Sequence, residues 1–292
     1  MAAEEHAPNA SEYIQHHLHH FQKNFNFESV SQTSIVDFSV FNLDSVIYSS
    51  VLGALGVFIL WLAARRATSG VPGRFQAAVE MLCELVENQA KGVIHNATSR
   101  KLVSPLALTV FIWIFLMNAM DMLPVDFIPL IWKNAVVASG GEAHHAFMRV
   151  VPTADLSTTL GLSTSILLMC LFYNIKIKGI GGWGHELISA PFGAHPLLWP
   201  FNFLMQMIEF IAKTVSHGMR LFGNMFAGEL VFMLIALMGG AFAVSGTGIG
   251  LAIGHVVAGT VWTLFHILVI TLQAFIFMML TLIYIGQAHD AH

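Results

Sequence analysis

The sequence predicts an all-α integral membrane protein, because its composition, its hydropathy and the length of its apolar runs agree. Of 292 residues, 56% are hydrophobic and only 10% are charged, whereas a soluble domain has about 25% charged residues. The mean hydropathy is +0.70, and several apolar runs reach about 20 residues, the length of a helix that crosses a bilayer. Soluble enzymes are therefore excluded. The formal net charge of −4 offers no basic surface for nucleic acid, which we do not expect as a partner.

Residues 1–45 are predicted to form an external N-terminal segment. They carry acids and histidines and lack the apolar core of a secretory signal peptide, so the first span is expected to act as its own insertion signal. Histidines cluster at 16–20 and again at 141–145, without the H-E-x-x-H spacing of a helical zinc site. We therefore expect both clusters to be solvated rather than metal-binding. The two cysteines, Cys83 and Cys170, suggest neither a disulfide framework nor a metal cluster.

The first membrane helix is predicted over residues 46–64, where an apolar run ends at Arg65 and Arg66. Residues 73–97 follow a different pattern, with apolar side chains at helical spacing on one face and glutamates on another. A helix of this kind lies along the membrane surface rather than across it. The sequence therefore predicts one amphipathic surface helix in addition to the membrane helices.

Four more membrane helices follow. The second and third are predicted over 102–123 and 156–173, on either side of a loop at 124–155. The last two apolar runs, 197–239 and 251–285, are much longer. Thirty-five helical residues rise roughly 50 Å, against a hydrocarbon core of about 30 Å. We therefore expect these two runs to form a strongly tilted helical hairpin with a glycine-rich turn between them.

Loop charge predicts the orientation, because cytoplasmic loops are enriched in lysine and arginine. Residues 65–101 contain six such residues, so this loop and its amphipathic helix are expected in the cytoplasm. The loop at 124–155 has only Lys133 and Arg149 and is expected outside. The signs alternate across every span, which predicts an external N-terminus and a cytoplasmic tail at 286–292.

Polar residues within the two long helices are the strongest functional signal. With a helical phase of 100° per residue, seven of them share one stripe of the first helix: Gln206, Glu209, Lys213, Ser216, His217, Arg220 and Asn224. Glu229 lies about 180° from Arg220 and faces a different environment. The second helix has its own stripe: His255, His266, Gln273 and Tyr284. Paired stripes of this kind predict hydrophilic surfaces inside the bilayer.

Arg220 is the most informative of these residues. An arginine at bilayer depth costs about 2.5–3.5 kcal/mol on insertion scales, so it normally has an acidic partner. Glu209 shares its phase but lies about 16 Å along the axis, so the partner is expected on another subunit. An arginine keeps its proton and acts as a fixed cation. The alternative interpretation is that Arg220 snorkels to an interface.

Titratable groups lie on both sides of this cation. Glu229 and His266 are expected in the external half and Glu209 in the cytoplasmic half, where each could relay protons. The alternatives are a static interhelical hydrogen bond between Glu229 and His266 and a simple i,i+4 pair of Glu209 with Lys213.

Three aspartates near the external ends of the helices are candidates for the entrance of a proton path: Asp121, Asp126 and Asp155. Loop solvation is the alternative for the first two. A helix N-terminal acid is the alternative for the third.

These residues belong to segments that closely resemble the a subunit of bacterial F-type ATP synthase. The resemblance is strongest in RLFGNMFAGEL at 220–230 and HILVITLQAFIFMMLTLIYI at 266–285. Earlier landmarks are FLMNAMDMLPVDFIP at 115–129, VVPTADL at 150–156 and YNIKIKGIGG at 173–182. The resemblance runs from about residue 40 to the C-terminus.

The resemblance implies a non-catalytic stator subunit in a bacterial inner membrane, with five membrane helices plus an amphipathic one. Two offset half-channels would deliver protons to and from a carboxylate of the c-subunit ring. The implied partners are the c ring, the b-subunit peripheral stalk and the rest of the ATP synthase complex, with the proton as coupling ion. No cofactor and no metal are implied.

The resemblance also assigns residues by motif position. Arg220 matches the essential arginine that prevents a short circuit between the half-channels. The residues that match the surroundings of the arginine and the outer half-channel are Asn224, Glu229, His266 and Gln273. Some bacterial members carry a glutamate of the inner channel where this chain has Gln206, and Glu209 lies about one helical turn further on.

Two other functional classes remain open from the residues alone. A haem-bearing electron-transfer subunit would use His217, His255 or His266 as axial ligands and needs paired histidines on facing helices. A secondary proton-coupled transporter would have an internal repeat and broken helices around a central site, and the two halves of this sequence show no such repeat.

Overall fold

A computed structural model describes residues 10–26, 28–30, 32, 37, 39–68, 70–140, 148–189, 192–193, 195–240 and 246–288. The described part of the chain contains five helices that are long and apolar enough to cross a membrane. In our numbering these are α2 (Leu43–Arg65), α4 (Ala97–Ala119), α6 (Leu156–Ser189), α7 (Trp199–Gly240) and α8 (Gly246–Gln287). The prediction of an all-α membrane protein is confirmed.

Three shorter α-helices, three single-turn 3-10 helices and one small sheet complete the described structure. The amphipathic run forms α3 (Arg74–Val93), whereas α1 (Ala10–Leu18) and α5 (Phe127–Ala138) were not predicted. The strands β1 (Gln22–Asn24) and β2 (Val40–Asn42) pair antiparallel in the N-terminal segment. At 12 residues, α5 spans about 18 Å and is too short to cross the bilayer core.

Several helices extend beyond their predicted limits, and the extension is longest in α6. The run predicted to end at residue 173 continues as α6 to Ser189, with one break at Gly179, whose φ of 72° is left-handed. Lys176 and Lys178 therefore lie within this helix, because a single glycine redirects the chain without ending it. The glycine-rich stretch predicted as a turn is helical from Gly246 onward, since glycine lowers helix propensity by only about 1 kcal/mol and packing outweighs it.

The chain forms two compact units, each built from separate parts of the sequence. The first unit comprises Met1–Leu52, Leu116–Asp155 and Gly223–Thr271. In it the C-terminal part of α7 packs on the N-terminal part of α8, and Gly228 makes this close approach possible. A Cβ atom at that position would overlap the ring of His266.

The second unit comprises Gly53–Phe115, Leu156–Phe222 and Leu272–His292. Its core includes Leu221 of α7 and Met278 and Leu282 of α8, each at most 1% exposed. In this unit the N-terminal part of α7 therefore packs against the C-terminal part of α8.

Candidate functional site

Arg220 lies in the second unit on the exposed side of α7. It forms no hydrogen bond or salt bridge with any residue that the structure describes. Ser216, one turn earlier, is also exposed. The side chain is therefore neither enclosed by this chain nor neutralised by a described acid, which leaves it accessible to a partner.

The predicted polar stripe around Arg220 is not a uniform surface. Glu209 and Asn224 are exposed, Gln206 and Lys213 are half-buried, and His217 is only 2% exposed. The ring of His217 packs at 3.7 Å from the ring of Phe277. Contact with Phe277 of α8 therefore covers one edge of the predicted stripe.

Glu229 lies in the first unit and is bound by a residue that the sequence did not single out. Its Oε2 lies 2.5 Å from Nη2 of Arg149 and 3.2 Å from Nε. Both side chains are at least 90% buried. The predicted alternative, a hydrogen bond to His266, is wrong, because the carboxylate of Glu229 is taken by a guanidinium from the segment before α6.

Arg149 is held on three further sides. Its backbone N–H donates to Oδ2 of Asp44 at 3.1 Å, and its Nη1 lies 3.1 Å from Nε2 of His20. The guanidinium carbon is 5.4 Å from the centre of the Phe226 ring. A buried charge needs such surroundings, because an unsatisfied guanidinium away from water is costly.

His266 is paired with Asp121. Its Nε2 lies 2.7 Å from Oδ2 of Asp121, and both side chains are at most 5% exposed. The rings of Phe232 and Trp262 stand at 5.2 and 6.1 Å from the imidazole. Loop solvation, the alternative considered for Asp121, does not apply, since this aspartate is enclosed in the first unit.

These side chains form what we call the outer polar cluster. All belong to the first unit and all are buried or half-buried: His20, Asp44, Asp121, Arg149, Glu229 and His266. The cluster combines three carboxylates, two imidazoles and one guanidinium. Carboxylates and imidazoles exchange protons, whereas the guanidinium does not.

The other two candidate aspartates differ in their surroundings. Asp126 is exposed at 65% of its side chain and binds Tyr13 and His17 of α1, each at 3.0 Å. Burial and the neighbouring Asp126 raise the pKa of Tyr13 above its ordinary value. Asp155, which precedes α6, is buried and accepts a hydrogen bond at 2.9 Å from Asn42.

The histidine-rich N-terminus is not a solvated tail at the positions that contact the rest of the first unit. His17 and His20 are half-buried against carboxylates, so that prediction is wrong for these two. The second cluster, at 141–145, lies outside the described residues. Within the described residues no group of three or more histidine, cysteine, aspartate or glutamate side chains is arranged so that it could hold a metal ion.

The second unit contains a cavity of about 630 Å³ between α6, α7 and α8. Gln206, Glu209 and Lys213 line this cavity, and the first two lie about one helical turn apart on α7. Lys213 forms a salt bridge of 2.5 Å with Glu209 and a hydrogen bond of 2.8 Å to Gln287. The i,i+4 alternative for Glu209 is therefore present in the structure. It does not enclose the carboxylate, which is 49% exposed.

The remaining cavity walls are also polar in part. Ser163 of α6 donates to the backbone carbonyl of Thr214 at 2.5 Å, and Glu186 accepts from Lys178 at 2.7 Å. Gln273 of α8 is buried in the same unit but does not line this cavity. A cavity with partly polar walls is suited to hold water.

Arg149, His20 and Asp44 were not among the predicted site residues. One signal in the sequence pointed to Arg149. Glu229, on the side of α7 opposite Arg220, needed a cationic partner of its own, and the predicted external loop contains only two basic residues, Lys133 and Arg149. No comparable signal pointed to His20 or Asp44, because contacts made by the N-terminal segment produce no helical period in the sequence.

Comparison with known proteins identifies the class of molecule. The sequence model of the family described as ATP synthase A chain matches residues 46–286. Proteins named ATP synthase subunit a from Paracidovorax citrulli, an Acidovorax species and Verminephrobacter eiseniae are 67%, 66% and 63% identical to this chain. Each alignment covers 100% of both sequences.

The same comparison gives no support to the haem-bearing and transporter alternatives. The three histidines considered as axial ligands also have separate surroundings. His266 faces Asp121, and Nδ1 of His255 lies 2.7 Å from the carbonyl oxygen of Ile235. His217 packs on aromatic rings in the other unit.

Proposed function

The chain belongs to the ATP synthase A chain family, the proton-channel subunit of the membrane sector, and we propose that its two units each supply one half of the proton path. It is a non-catalytic, multi-pass bacterial membrane protein and part of an ATP synthase complex. The finer assignments concern which residues carry protons, which side each half faces and which subunits are contacted.

We propose that Arg220 attracts the carboxylate of a rotating c ring. A carboxylate at about 4 Å from a fixed cation, at an effective dielectric constant near 20, is attracted by about 4 kcal/mol. That attraction favours the ionised acid, so a ring carboxylate that reaches Arg220 releases its proton. The single observation that carries the proposal is that Arg220 is exposed on α7 and has no acidic partner among the described residues.

The outer polar cluster is assigned to the external half of the path. Glu229, His266 and Asp121 are titratable side chains in the interior of the first unit, and such groups inside a membrane protein mark ion pathways. Arg149 offsets part of the negative charge there, so the carboxylates need not all be protonated at once. Asp126 and Asp155, at the surface and the base of the same unit, are assigned to the entrance.

The cavity of the second unit is assigned to the cytoplasmic half. An amide does not titrate, so Gln206 cannot replace a carboxylate, whereas the partly exposed Glu209 on the same wall can. We therefore assign proton release to Glu209, with Lys213 holding its position. The N-terminus is accordingly external and the C-terminus cytoplasmic, which agrees with the loop charges.

The exposed apolar side chains along α8 indicate that this face contacts either a partner protein or lipid. Val257, Val261, Leu264 and Leu268 recur at helical spacing and are 57–66% exposed. We assign the c ring to the surface that carries Arg220, and we include the b-subunit stalk among the proposed partners.

Replacement of the arginine tests the proposal. We expect Arg220→Ala to abolish ATP-driven proton pumping by the assembled complex, measured as acidification of inverted membrane vesicles. Arg149→Ala is the comparison: its guanidinium is bound to Glu229 within the chain, so it is expected to affect assembly rather than the ring. Normal pumping by an assembled Arg220→Ala complex would refute the assignment.

A further inference from the structure

His20 connects the N-terminal segment to the interior of the outer polar cluster. It lies between α1 and β1, with 14% of its side chain exposed. Its Nε2 is 3.1 Å from Nη1 of Arg149, and its Nδ1 is 3.3 Å from Oδ2 of Asp44. The imidazole therefore bridges a buried aspartate and the arginine that holds Glu229.

The identity of these two neighbours determines where the imidazole carries its proton. A guanidinium only donates hydrogen bonds, so Nε2 of His20 must be the acceptor for Arg149. A carboxylate only accepts, so Nδ1 must carry the hydrogen that points to Asp44. Only the neutral ring with its hydrogen on Nδ1 satisfies both contacts.

Protonation of this ring is incompatible with the observed contact to Arg149. The imidazolium carries a hydrogen on both nitrogens, so Nε2–H would point at Nη1–H, and two cations would face each other. Asp44 would retain the ring, because its carboxylate gains an ion pair. The contact that is lost is therefore the one that orients Arg149.

The other charged groups around His20 do not change this outcome. Asp44 of α2 and Arg149 contact the ring directly. Glu229 of α7 is the next charge, bound to Arg149, and Asp121 lies beyond it in the same cluster. The ring therefore lies between an anion, Asp44, and a cation, Arg149.

We propose that His20 is a positioning residue: in its neutral form it fixes Arg149 on Glu229, and on protonation it releases that hold. A lower pH on the side of the N-terminal segment then breaks the hydrogen bond between His20 and Arg149, and this changes the position of Arg149 relative to Glu229. The inference rests on the proposed role of Glu229 in the external half of the proton path. It adds a group from the N-terminal segment whose hydrogen bond to Arg149 depends on its protonation state.

An amide at position 20 separates positioning from protonation. The side chain of His20→Asn has an N–H group for Asp44 and an oxygen for Arg149, and it does not titrate. The assay is ATP synthesis by the whole complex in liposomes at a constant total driving force, with pH varied on the N-terminal side. His19→Asn is the matched control, because His19 is an exposed neighbour.

We expect the wild type and His19→Asn to show a rate change between pH 5 and 8 of roughly fivefold, the factor that one hydrogen bond contributes to an equilibrium. His20→Asn should assemble and lose this change. Retention of the wild-type profile by His20→Asn, or its loss in His19→Asn, would overturn the inference. If His20→Asn does not assemble, His20→Gln repeats the test, and failure of both amides to assemble also overturns it.

Glu229→Gln distinguishes a failure of the proposed proton path from a failure of the role of His20 alone. If this variant makes ATP at the wild-type rate, the proposed path through Glu229 is wrong. If Glu229→Gln is inactive while His20→Asn keeps the wild-type pH profile, the path through Glu229 stands and only the proposed role of His20 is wrong.

Discussion

Single charged residues decide how this protein can handle protons, and their surroundings differ sharply. Arg149 and Glu229 are buried as a pair, and removal of one partner of a buried pair typically costs about 3–5 kcal/mol. Arg220, in contrast, has no such partner among the described residues. The same side-chain chemistry therefore provides a fixed internal bond at one position and an accessible cation at the other.

Glu209 gives a prediction at this scale. We expect Glu209→Gln to lower proton-driven ATP synthesis by about a hundredfold, the lower end of what a positioned proton-transfer group contributes. The added substitution Gln206→Glu should restore much of the rate, because it returns a carboxylate to the same cavity wall.

Glu84→Gln is the control for that experiment. Glu84 is an exposed glutamate of α3 and does not line the cavity, so this variant should synthesise ATP normally. An unchanged rate in Glu209→Gln would exclude Glu209 as the residue of proton release.

The charged and polar residues lie on pairs of packed helices, and the contacts between these helices depend on small side chains. In the first unit Gly228 of α7 lies against the ring of His266, which cannot move away without leaving Asp121. In the second unit Ser163 of α6 binds the backbone of α7. Close backbone approach and interhelical polar contacts are the usual forces between membrane helices, because lipid provides no hydrophobic drive.

Gly228→Ala tests the close approach of α7 and α8. An added Cβ would overlap the His266 ring, and overpacking of this kind costs about 1–3 kcal/mol. We expect faster heat inactivation of the purified complex and weaker proton pumping. Gly161→Ala adds the same atom in open space on α6 and should be as stable as the wild type. Equal stability of both variants would contradict the packing argument.

At the scale of the whole molecule, the orientation of the chain gives each half of the proton path its side of the membrane. Cys83 on α3 is exposed, whereas Cys170 on α6 is buried. The predicted topology puts α3 at the cytoplasmic surface, so the exposed thiol of Cys83 reports the orientation, whereas the buried thiol of Cys170 does not interfere.

We expect a membrane-impermeant maleimide to label Cys83 in inverted vesicles and not in intact cells. Burial and the nearby Glu80 raise the pKa of this thiol. The thiolate fraction, and with it the labelling rate, should therefore keep rising at pH values above those needed for an ordinary cysteine. Cys83→Ser should abolish the signal. Labelling of Cys83 from outside intact cells would reverse the proposed orientation.

Sequence alone determined the features that follow from local composition and period. Five apolar runs gave the membrane helices, and the 3.6-residue period set Glu229 apart from Arg220 on α7. Only the tertiary structure decided the partners of these residues. The segment before α6 brings Arg149 to Glu229, and the N-terminal segment brings His20 to Arg149, across separations of 80 and 129 residues. Helical phase describes one helix at a time, so contacts closed by distant, irregular segments leave no period in the sequence.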